Sequence, residues 1–403
     1  MRSHSRRLLS RSLALAFAIA VATFAVPNAQ SQTFSVVHTF TGGDDGANPQ
    51  AGLVLATEGN FYGTASSGGR YGAGDVYEMT STGTVTVLYS FTGESDGAAP
   101  TASLLFLDGA LYGTTSAGGK YGAGTVFKLT LAGIETVLYS FTGGADGSAP
   151  GAALTHDAST NLYGTTFAGG TGGNGTVFEL VHPKTGNTWA EQVLYSFGAT
   201  GDGANPVSGV AIDKTGNLYG TTSIGGTSGY GNVYQLVPSP SGWTENILHQ
   251  FELLGDGGTA YAGIVLDHAG NLYGATTDGG LGGDDGGGTI FKMSQVDGAW
   301  TFTTLYDLAG WGISGSFRNI LVASSTLIYS TTHCDGANND GTVFELKETK
   351  GVWNYTLLYT FTGGSDGYYL FSSPVLDHKG NLYGTTRFGG EDSAGVLFKI
   401  KLP

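Results

Sequence analysis

Residues 161–180 read NLYGTTFAGGTGGNGTVFEL, and a block built around this stretch recurs seven times along the chain. Its tyrosine returns at Tyr62, Tyr112, Tyr163, Tyr219, Tyr273, Tyr329 and Tyr383. The spacings are therefore 50, 51, 56, 54, 56 and 54 residues. A period near fifty is too long for ankyrin, tetratricopeptide or leucine-rich repeats, and it suits one four-stranded blade of a β-propeller.

Each unit contains four short runs of β-branched and aromatic residues with turn residues between them. In the second unit the runs are TVTVLYSF (84–91), ASLLFLD (102–108), LYGTTS (111–116) and GTVFKLT (124–130). No stretch shows a sustained helical period with caps. We therefore predict an all-β chain that forms a seven-bladed β-propeller. In each blade the ASLLFLD, LYGTT, GTVFKL and VLYSF runs become strands a, b, c and d, from the axis outward.

The two ends of the repeat region carry complementary strands. FSVVHTF (34–40) is a d-type run that no blade precedes, and AGVLFKI (394–400) is a c-type run that no d-type run follows. We expect residues 34–40 to complete the last blade, because this pairing closes the ring and removes open sheet edges. Residues 32–403 would then form a single propeller domain.

The strand labels also assign the loops to two faces. The d→a and b→c loops should share one face, which carries the Asp-Gly turns and the paired glycines. The a→b and c→d loops should share the opposite face. We expect any ligand on the first face, called the upper face below.

The first 31 residues have the features of a secretory signal peptide. Four arginines precede an apolar run over residues 13–26, and Ala29 and Ser31 fit a cleavage site before Gln32. Arg6-Arg7 suits either an ordinary basic region or a twin-arginine signal, so the export route stays open. We expect a secreted protein, extracellular or periplasmic, without a transmembrane segment, because no later apolar stretch is long enough.

The acidic composition restricts the partners. The net charge is −15, and loss of residues 1–31, which hold four arginines and no acidic residue, would make it −19. This charge argues against a nucleic-acid partner. Cys334 is the only cysteine, so no intrachain disulfide can form and sheet packing must supply the stability. We expect a monomer.

The stretch VLYSFTGGADGSAPGAALTHDASTNLYGTTFAGGTGGNGTVFEL (137–180) resembles the GloVer (Gloeo-Verruco) tandem repeat of secreted bacterial proteins. The likeness covers nearly all of the chain after residue 31. It implies an exported, surface-related repeat protein with no established activity, so it assigns no catalytic residue. Nothing after Leu397 resembles the C-terminal anchors of other members, which puts stable surface attachment in doubt. A weaker resemblance, limited to the short motif D-x-x-G-N-L-Y, is to streptogramin lyase-type and NHL-type propellers.

Two kinds of acidic loop could bind Ca²⁺, which prefers six to eight oxygen ligands. The Asp-Gly pairs supply too few carboxylates per loop and are better explained as tight turns. The loop 277–286 is richer, and Asp278, Asp284 and Asp285 are the candidate metal ligands. A loop that binds no metal is the alternative. The sequence indicates no other cofactor.

Blade six departs from the repeat on the upper face. Its d→a loop (307–319) lacks Asp-Gly, and its b→c loop (332–340) lacks the paired glycines. The predicted ligand site combines these loops with the next d→a loop, and its residues are Trp311, Arg318, His333, Asp335, Tyr368 and Tyr369. The aromatic rings would contact sugar faces, and the polar groups would bind hydroxyls. Divergence of one blade without a function is the alternative.

No GxSxG, HExxH, P-loop or CxxC motif occurs. His333 beside Cys334 could form a metal site or a nucleophile, but no orienting partner is visible. We therefore expect a non-catalytic extracellular binding module for glycans or surface proteins. The alternative is an extracellular lyase or hydrolase with its site at the central opening. A cluster of histidine, arginine, tyrosine or carboxylates there would favour the enzyme, whereas a lining of glycine and aliphatic residues would disfavour it.

Overall fold

The computed structural model describes residues 32–281, 286–308 and 317–403. Within them the strands form seven four-stranded antiparallel sheets and a two-stranded ribbon, Gly203–Ala204 with Ile224–Gly225. Each large sheet has the order a-b-c-d, and the sheets follow one another around a ring. The predicted all-β, seven-bladed propeller is confirmed. The described residues contain no helix that could span a membrane.

The strands recur in the same order in every blade. The a strands are Val54–Leu55, Leu105–Leu107, Thr155–His156, Ala211–Ile212, Val265–Leu266, Phe317–Ser324 and Val375–Leu376. The b strands are Phe61–Ala65, Ala110–Thr115, Leu162–Thr166, Leu218–Thr221, Leu272–Ala275, Leu327–Thr332 and Leu382–Thr386. The c strands are Asp75–Met79, Thr125–Thr130, Thr176–Val181, Asn232–Ser239, Thr289–Val296, Thr342–Thr349 and Val396–Lys401. The d strands are Val85–Ser90, Glu135–Ser140, Ala190–Ser196, Gly242–Gln250, Ala299–Asp307, Val352–Thr360 and, for blade 7, Thr33–Thr39.

The hydrophobic core is divided among the seven interfaces between adjacent blades. Seven clusters of buried side chains occur, and each combines residues of two neighbouring sheets. The phenylalanine that ends a VLYSF run packs on an aromatic ring of the next c strand. Phe141 and Phe178, for example, lie 5.1 Å apart between ring centroids. Strands b and c therefore lie between two neighbouring blades, which explains their nearly continuous apolar character.

The glycine of LYGTT is required by this packing. A Cβ atom on Gly164 would lie 2.6 Å from Cζ of Phe178, whose ring crosses the b strand. In blade 3 a side chain at this position would therefore displace the Phe178 ring. Blade 6 has Ser330 at the same place, fully buried.

Six of the seven inner strands have only two or three residues and are shorter than the sequence predicts, whereas Phe317–Ser324 of blade 6 has eight. In blade 2 the a strand covers Leu105–Leu107 rather than residues 102–108. The residues before it form the wall of a central cavity instead of a sheet ladder. Threonines of strand b bind these wall segments across the blade boundary, as when Thr114 Oγ1 donates to the Ala152 carbonyl at 3.2 Å. The threonines that make this bond are Thr64, Thr114, Thr165, Thr221, Thr331 and Thr385.

The N-terminal strand closes the ring as predicted. Thr33–Thr39 pairs antiparallel with Val396–Lys401, with Phe34 opposite Ile400 and Thr39 opposite Val396. The ring of Phe34 also stacks on Tyr359 of blade 6 at a centroid distance of 3.7 Å. The first strand of the chain therefore completes the last blade.

Short bridges confirm that the d→a and b→c loops share one face. Within a blade the two loops pair directly, as in Ala98 with Ala117 and Tyr368 with Phe388. The upper face is thus a ring of paired loops around the cavity mouth.

Candidate functional site

A central cavity of about 820 Å³ occupies the axis of the ring. Its wall consists mainly of small residues that precede the a strands, such as Gly52, Ser103, Ala153 and Gly209. Among the described residues that line it, none is Asp, Glu, His, Lys or Arg, and Tyr261 alone is ionisable. The described part of the wall therefore offers shape and a few hydroxyl groups.

One residue in each of six d→a loops fixes the upper mouth of this cavity. Each has a left-handed backbone, with φ between 53° and 60°, and they are Asn48, Ala99, Ala149, Asn205, Thr259 and Tyr369. Ala99 illustrates the role: its N–H donates to the Ala73 carbonyl of the preceding blade, and its own carbonyl accepts from the Ser116 N–H. Residues without glycine's freedom adopt this conformation only where the surroundings fix it. The mouth is therefore a rigid frame built from loops of adjacent blades.

The first side chain of each b→c loop faces this frame and differs among the blades. Four blades have a small hydroxyl residue that donates to the carbonyl of the left-handed residue; these are Ser66, Ser116, Ser223 and Thr277. Blades 3, 6 and 7 have Phe167, His333 and Arg387 instead. We call these positions the mouth positions; Ser116 and Phe167 line the cavity.

Blades 6 and 7 form a cluster of rings at the mouth, which we call the mouth cluster. Its members are His333, Tyr368, Tyr369, Phe371, Arg387 and Phe388. The His333 ring lies 4.5 Å from that of Tyr369 and 4.4 Å from that of Phe371. Tyr368 lies 5.0 Å from Tyr369 and 5.5 Å from Phe388. Phe371 lines the central cavity, so the cluster continues the cavity wall onto the upper face.

Arg387 supplies the positive charge of this cluster. Its Cζ atom lies 5.1 Å from the ring centroid of Phe371 and 4.9 Å from that of Phe388, within cation–π range. Its Nε is buried and has no hydrogen-bond partner. The ion pairs among the described residues are His38–Asp45 and His249–Asp256, so no carboxylate in this part of the chain neutralises Arg387.

The structure brings together three of the six residues predicted to bind a ligand. His333, Tyr368 and Tyr369 belong to the mouth cluster. Asp335 does not belong to it and lies instead near Tyr306 and Tyr355, which are on d strands. Desolvation is the main cause of the raised pKa values of these two tyrosines, and the charge of Asp335 adds to it. Trp311 lies outside the described residues, and Arg318 falls in the a strand of blade 6, where its side chain is not described.

Sequence reasoning missed Phe371, Arg387 and Phe388. Alignment of the seven repeats at the mouth position would have revealed Arg387, because four other blades have serine or threonine there. Phe371 and Phe388 show no comparable sequence signal, because they belong to the cluster only through contacts with residues of other loops.

The candidate metal loop stays a prediction. Asp278 pairs through its backbone with Gly258, whereas Asp284 and Asp285 lie outside the described residues. Across the described chain no group of three or more histidine, cysteine, aspartate or glutamate side chains is placed to hold a metal ion.

The Asp-Gly aspartates stabilise turns, as expected. Asp96 accepts from the Tyr89 hydroxyl at 2.9 Å and from the Thr92 N–H at 2.7 Å. His38 and His249 replace the tyrosine in two blades and contact Asp45 at 3.2 Å and Asp256 at 2.9 Å. All six aspartates make such bonds: Asp45, Asp96, Asp146, Asp202, Asp256 and Asp366.

Three blade interfaces also enclose a glutamate next to one of these aspartates. Desolvation raises the pKa values of Glu135, Glu191 and Glu245 to about 7, and the charges of Asp96, Asp146 and Asp202 add to the effect. An aromatic ring takes the glutamate's place elsewhere, as where Phe302 stacks on His249 at 3.9 Å. These carboxyl pairs lie between outer strands and are not part of the cavity wall.

Asp75 is the most deeply buried carboxyl group among the described residues. It is 0% exposed, and neither carboxyl oxygen has a hydrogen-bond partner. Desolvation, followed by the charge of Asp45, raises its pKa to about 8. In blade 2 the same position holds Thr125, whose hydroxyl bonds to Thr115 at 2.8 Å. In blade 1 the opposite residue is Ala65, so the carboxyl group lacks that partner.

The Gloeobacter/Verrucomicrobia repeat family matches the chain in three overlapping segments, residues 22–214, 136–314 and 211–403. No curated protein matches the sequence.

Solved structures with a similar fold have diverse functions. The BP39L lectin from Burkholderia pseudomallei aligns with a TM-score of 0.58 at 10% identity, over 88% of this chain and 96% of the lectin. A polysaccharide lyase of family PL25, an ulvan lyase, aligns with a TM-score of 0.53 at 11% identity, over 89% and 93% of the two chains. The extracellular domain of the proposed one-component system BT4673 from B. thetaiotaomicron aligns with a TM-score of 0.57 at 9% identity, over 92% of this chain and 40% of that one. At such identities the likeness establishes the fold alone.

Proposed function

This chain belongs to the Gloeobacter/Verrucomicrobia repeat family, and we propose that it is a secreted, non-catalytic module that binds glycans at the upper mouth of its central cavity. The mouth cluster carries this proposal. Aromatic rings beside a preformed cavity, with a few polar groups among them, are the usual composition of a small-molecule site. Tyrosine adds a hydroxyl to a flat apolar surface, which suits a sugar ring with one apolar face and a polar rim.

The expected location outside the cytoplasm supports a glycan ligand. Residues 1–31 combine a basic start, an apolar run and small residues before Gln32, the composition of a secretory signal. A fold-level likeness to a lectin and to an extracellular domain agrees with this location.

A second function, a lyase or hydrolase, is favoured by one observation. The mouth cluster brings a histidine, a tyrosine and an arginine together near the opening, and a similar fold occurs in a polysaccharide lyase. Two features weigh against catalysis. The described cavity wall offers no carboxylate, histidine or lysine, and the His333 ring is packed between Tyr369 and Phe371 with Nδ1 at 3.3 Å from the Leu370 carbonyl. A general base needs access to the substrate proton.

A glycan array probed with the purified protein tests the proposal. We expect binding to a defined set of glycans, and we expect Tyr368→Ala and Phe388→Ala to abolish it. Tyr71→Ala is the matched control, because Tyr71 lies on the upper face of blade 1 and is 56% exposed. That variant should bind like the parent.

Incubation of the bound glycans with the protein separates the two functions. Unchanged glycans after prolonged incubation support the binding module. Release of shorter or unsaturated products would replace it with the enzyme. Absence of binding to any glycan, or equal loss of binding in the Tyr71→Ala control, would refute the site.

A further inference from the structure

Arg387 occupies a position that a small hydroxyl residue fills in four other blades. In those blades the hydroxyl bonds to the carbonyl of the left-handed residue, as Ser116 does with Ala99 at 3.0 Å. In blade 7 the left-handed residue is Tyr369, and within the described residues its carbonyl accepts the backbone N–H of Arg387 at 3.0 Å and no side-chain donor. The frame therefore does not need the arginine side chain, and the substitution calls for another explanation.

The guanidinium group is oriented by its neighbours but not neutralised by them. The rings of Phe371 and Phe388 lie within about 5 Å of Cζ, at 5.1 and 4.9 Å. Arginine stacks on aromatic faces in this way and keeps its planar set of donors. The buried Nε donates to no described atom, and no described carboxylate forms an ion pair with the group. Arg387 is half-buried, so water screens its charge only in part and an anion can bind to it.

The neighbouring surface has the properties of a saccharide site. Phe371 reaches from Arg387 into the cavity wall, and Tyr368 and Tyr369 extend the aromatic surface on the other side. The described cavity wall carries no Asp, Glu, His, Lys or Arg, so Arg387 at its rim supplies the nearby positive charge. A ligand that contacts both the aromatic rings and Arg387 would therefore combine a sugar ring, with its apolar face, and an anionic group.

We propose that Arg387 is the anion-binding residue of the mouth cluster and that its ligand is an anionic saccharide. Carboxylate and sulfate groups share the oxygen geometry that a guanidinium fork binds through two parallel hydrogen bonds. This inference rests on the proposed function and names its ligand class. It assigns Arg387 a role in binding and does not require catalysis.

The decisive experiment compares two charged saccharides with a neutral ester of one of them. Oligogalacturonate, its neutral methyl ester and a sulfated oligosaccharide of similar length are titrated into the purified protein by calorimetry. We expect the acid or the sulfated sugar to bind at least tenfold more tightly than the ester, with affinity that falls as salt rises. The arm that binds identifies carboxylate or sulfate as the anionic group.

Two variants test whether Arg387 is responsible. Arg387→Gln should reduce affinity for the charged saccharide at least tenfold and leave the ester unaffected, whereas Arg387→Lys should restore part of the affinity. Arg70→Gln is the matched control, since Arg70 lies on the upper face of blade 1, also beside an aromatic ring, at 5.6 Å from Tyr71. Melting curves show whether each variant is folded, and the comparison of ligands with the parent protein needs no variant.

Several results would overturn the inference. If neither the acid nor the sulfated sugar binds more tightly than the ester, or if a folded Arg387→Gln protein keeps its affinity for the charged sugar, Arg387 is excluded as an anion site. Binding of neutral glycans alone overturns the anionic ligand and leaves the proposed function intact. Failure of every glycan, charged or neutral, refutes the proposed function as well.

Discussion

Replacement of Asp75 by asparagine should stabilise the protein, and the gain should grow with pH. Burial raises the pKa of Asp75 from 3.8 to about 8, so at pH 7 the folded protein retains a proton that the unfolded chain has lost. A raised carboxyl pKa means that stability falls as pH rises from about 3.8 to 8. Asparagine has the same shape and needs no proton, so it should remove this dependence.

The magnitude follows from the pKa shift. At pH 7, about three units above the ordinary pKa of aspartate, keeping the proton on Asp75 costs about 4 kcal/mol of folding free energy, at 1.36 kcal/mol per unit. This value is an upper bound. Unpaired buried polar groups cost about 1–3 kcal/mol in mutational series. We therefore expect a gain of about 2–4 kcal/mol at pH 7, or roughly 3–5 °C in melting temperature for a domain of this size. Asn232 occupies the equivalent position in blade 4, where a half-turn rotation of its amide lets it donate to the Gly231 carbonyl and accept from the Gly203 N–H.

Thermal unfolding of both proteins at pH 5, 6, 7 and 8 tests this prediction. The difference should be small at pH 5 and largest at pH 8. Asp108→Asn is the control for the substitution itself, because Asp108 is exposed in a turn of blade 2, and this variant should melt like the parent. A folded Asp75→Asn protein that melts at or below the parent at pH 8, or a gain independent of pH, would refute the reasoning.

Three further predictions concern the ring and its interfaces. Deletion of residues 34–40 should lower the melting temperature markedly and cause aggregation, because it exposes the edge of Val396–Lys401; a truncated protein that melts like the parent and stays monomeric in light scattering would contradict this. Gly164→Ala should cost about 1–3 kcal/mol in denaturant unfolding by displacing Phe178, whereas Ser330→Ala, at the equivalent position of blade 6, should cost less; equal costs would show that ring contact is not the cause. Glutamine should replace Glu135, Glu191 and Glu245 in a triple variant whose stability falls less between about pH 4.5 and 7. The raised pKa values mean that the folded parent holds extra protons in this range. An unchanged dependence of melting temperature on pH would argue against buried, neutral glutamates.

The architecture could be predicted because its signals are local and repeated. The LYGTT and GTVFKL runs have strand-forming composition and are separated by turn residues. Because the same order recurs seven times, each strand assignment supports the others. Closure followed from the types of the terminal runs, residues 34–40 and 394–400. The lengths of the a strands could not be predicted, since the residues before Leu105 have strand-like composition but line a cavity.

The candidate site could be predicted only in part. His333, Tyr368 and Tyr369 stood out because their loops depart from the repeat. Arg387 sits in a loop with ordinary glycines, and its importance depends on Phe371, which comes from another loop. The proximity of Glu135 to Asp96 could not be predicted either. Glu135 lies on strand d of blade 2, whereas Asp96 lies in the turn that follows strand d of blade 1.

Ring closure has a consequence for how the chain is made. Thr33–Thr39 leaves the ribosome before any blade exists, and its partner Val396–Lys401 is synthesised last. At about 5–20 residues per second, the intervening stretch takes roughly 20–70 s to translate. Throughout that time the first strand has an unpaired edge, and blade 7 cannot form. A partly synthesised chain is thus unable to close its ring, and the last blade can form only after strand Val396–Lys401 has been made.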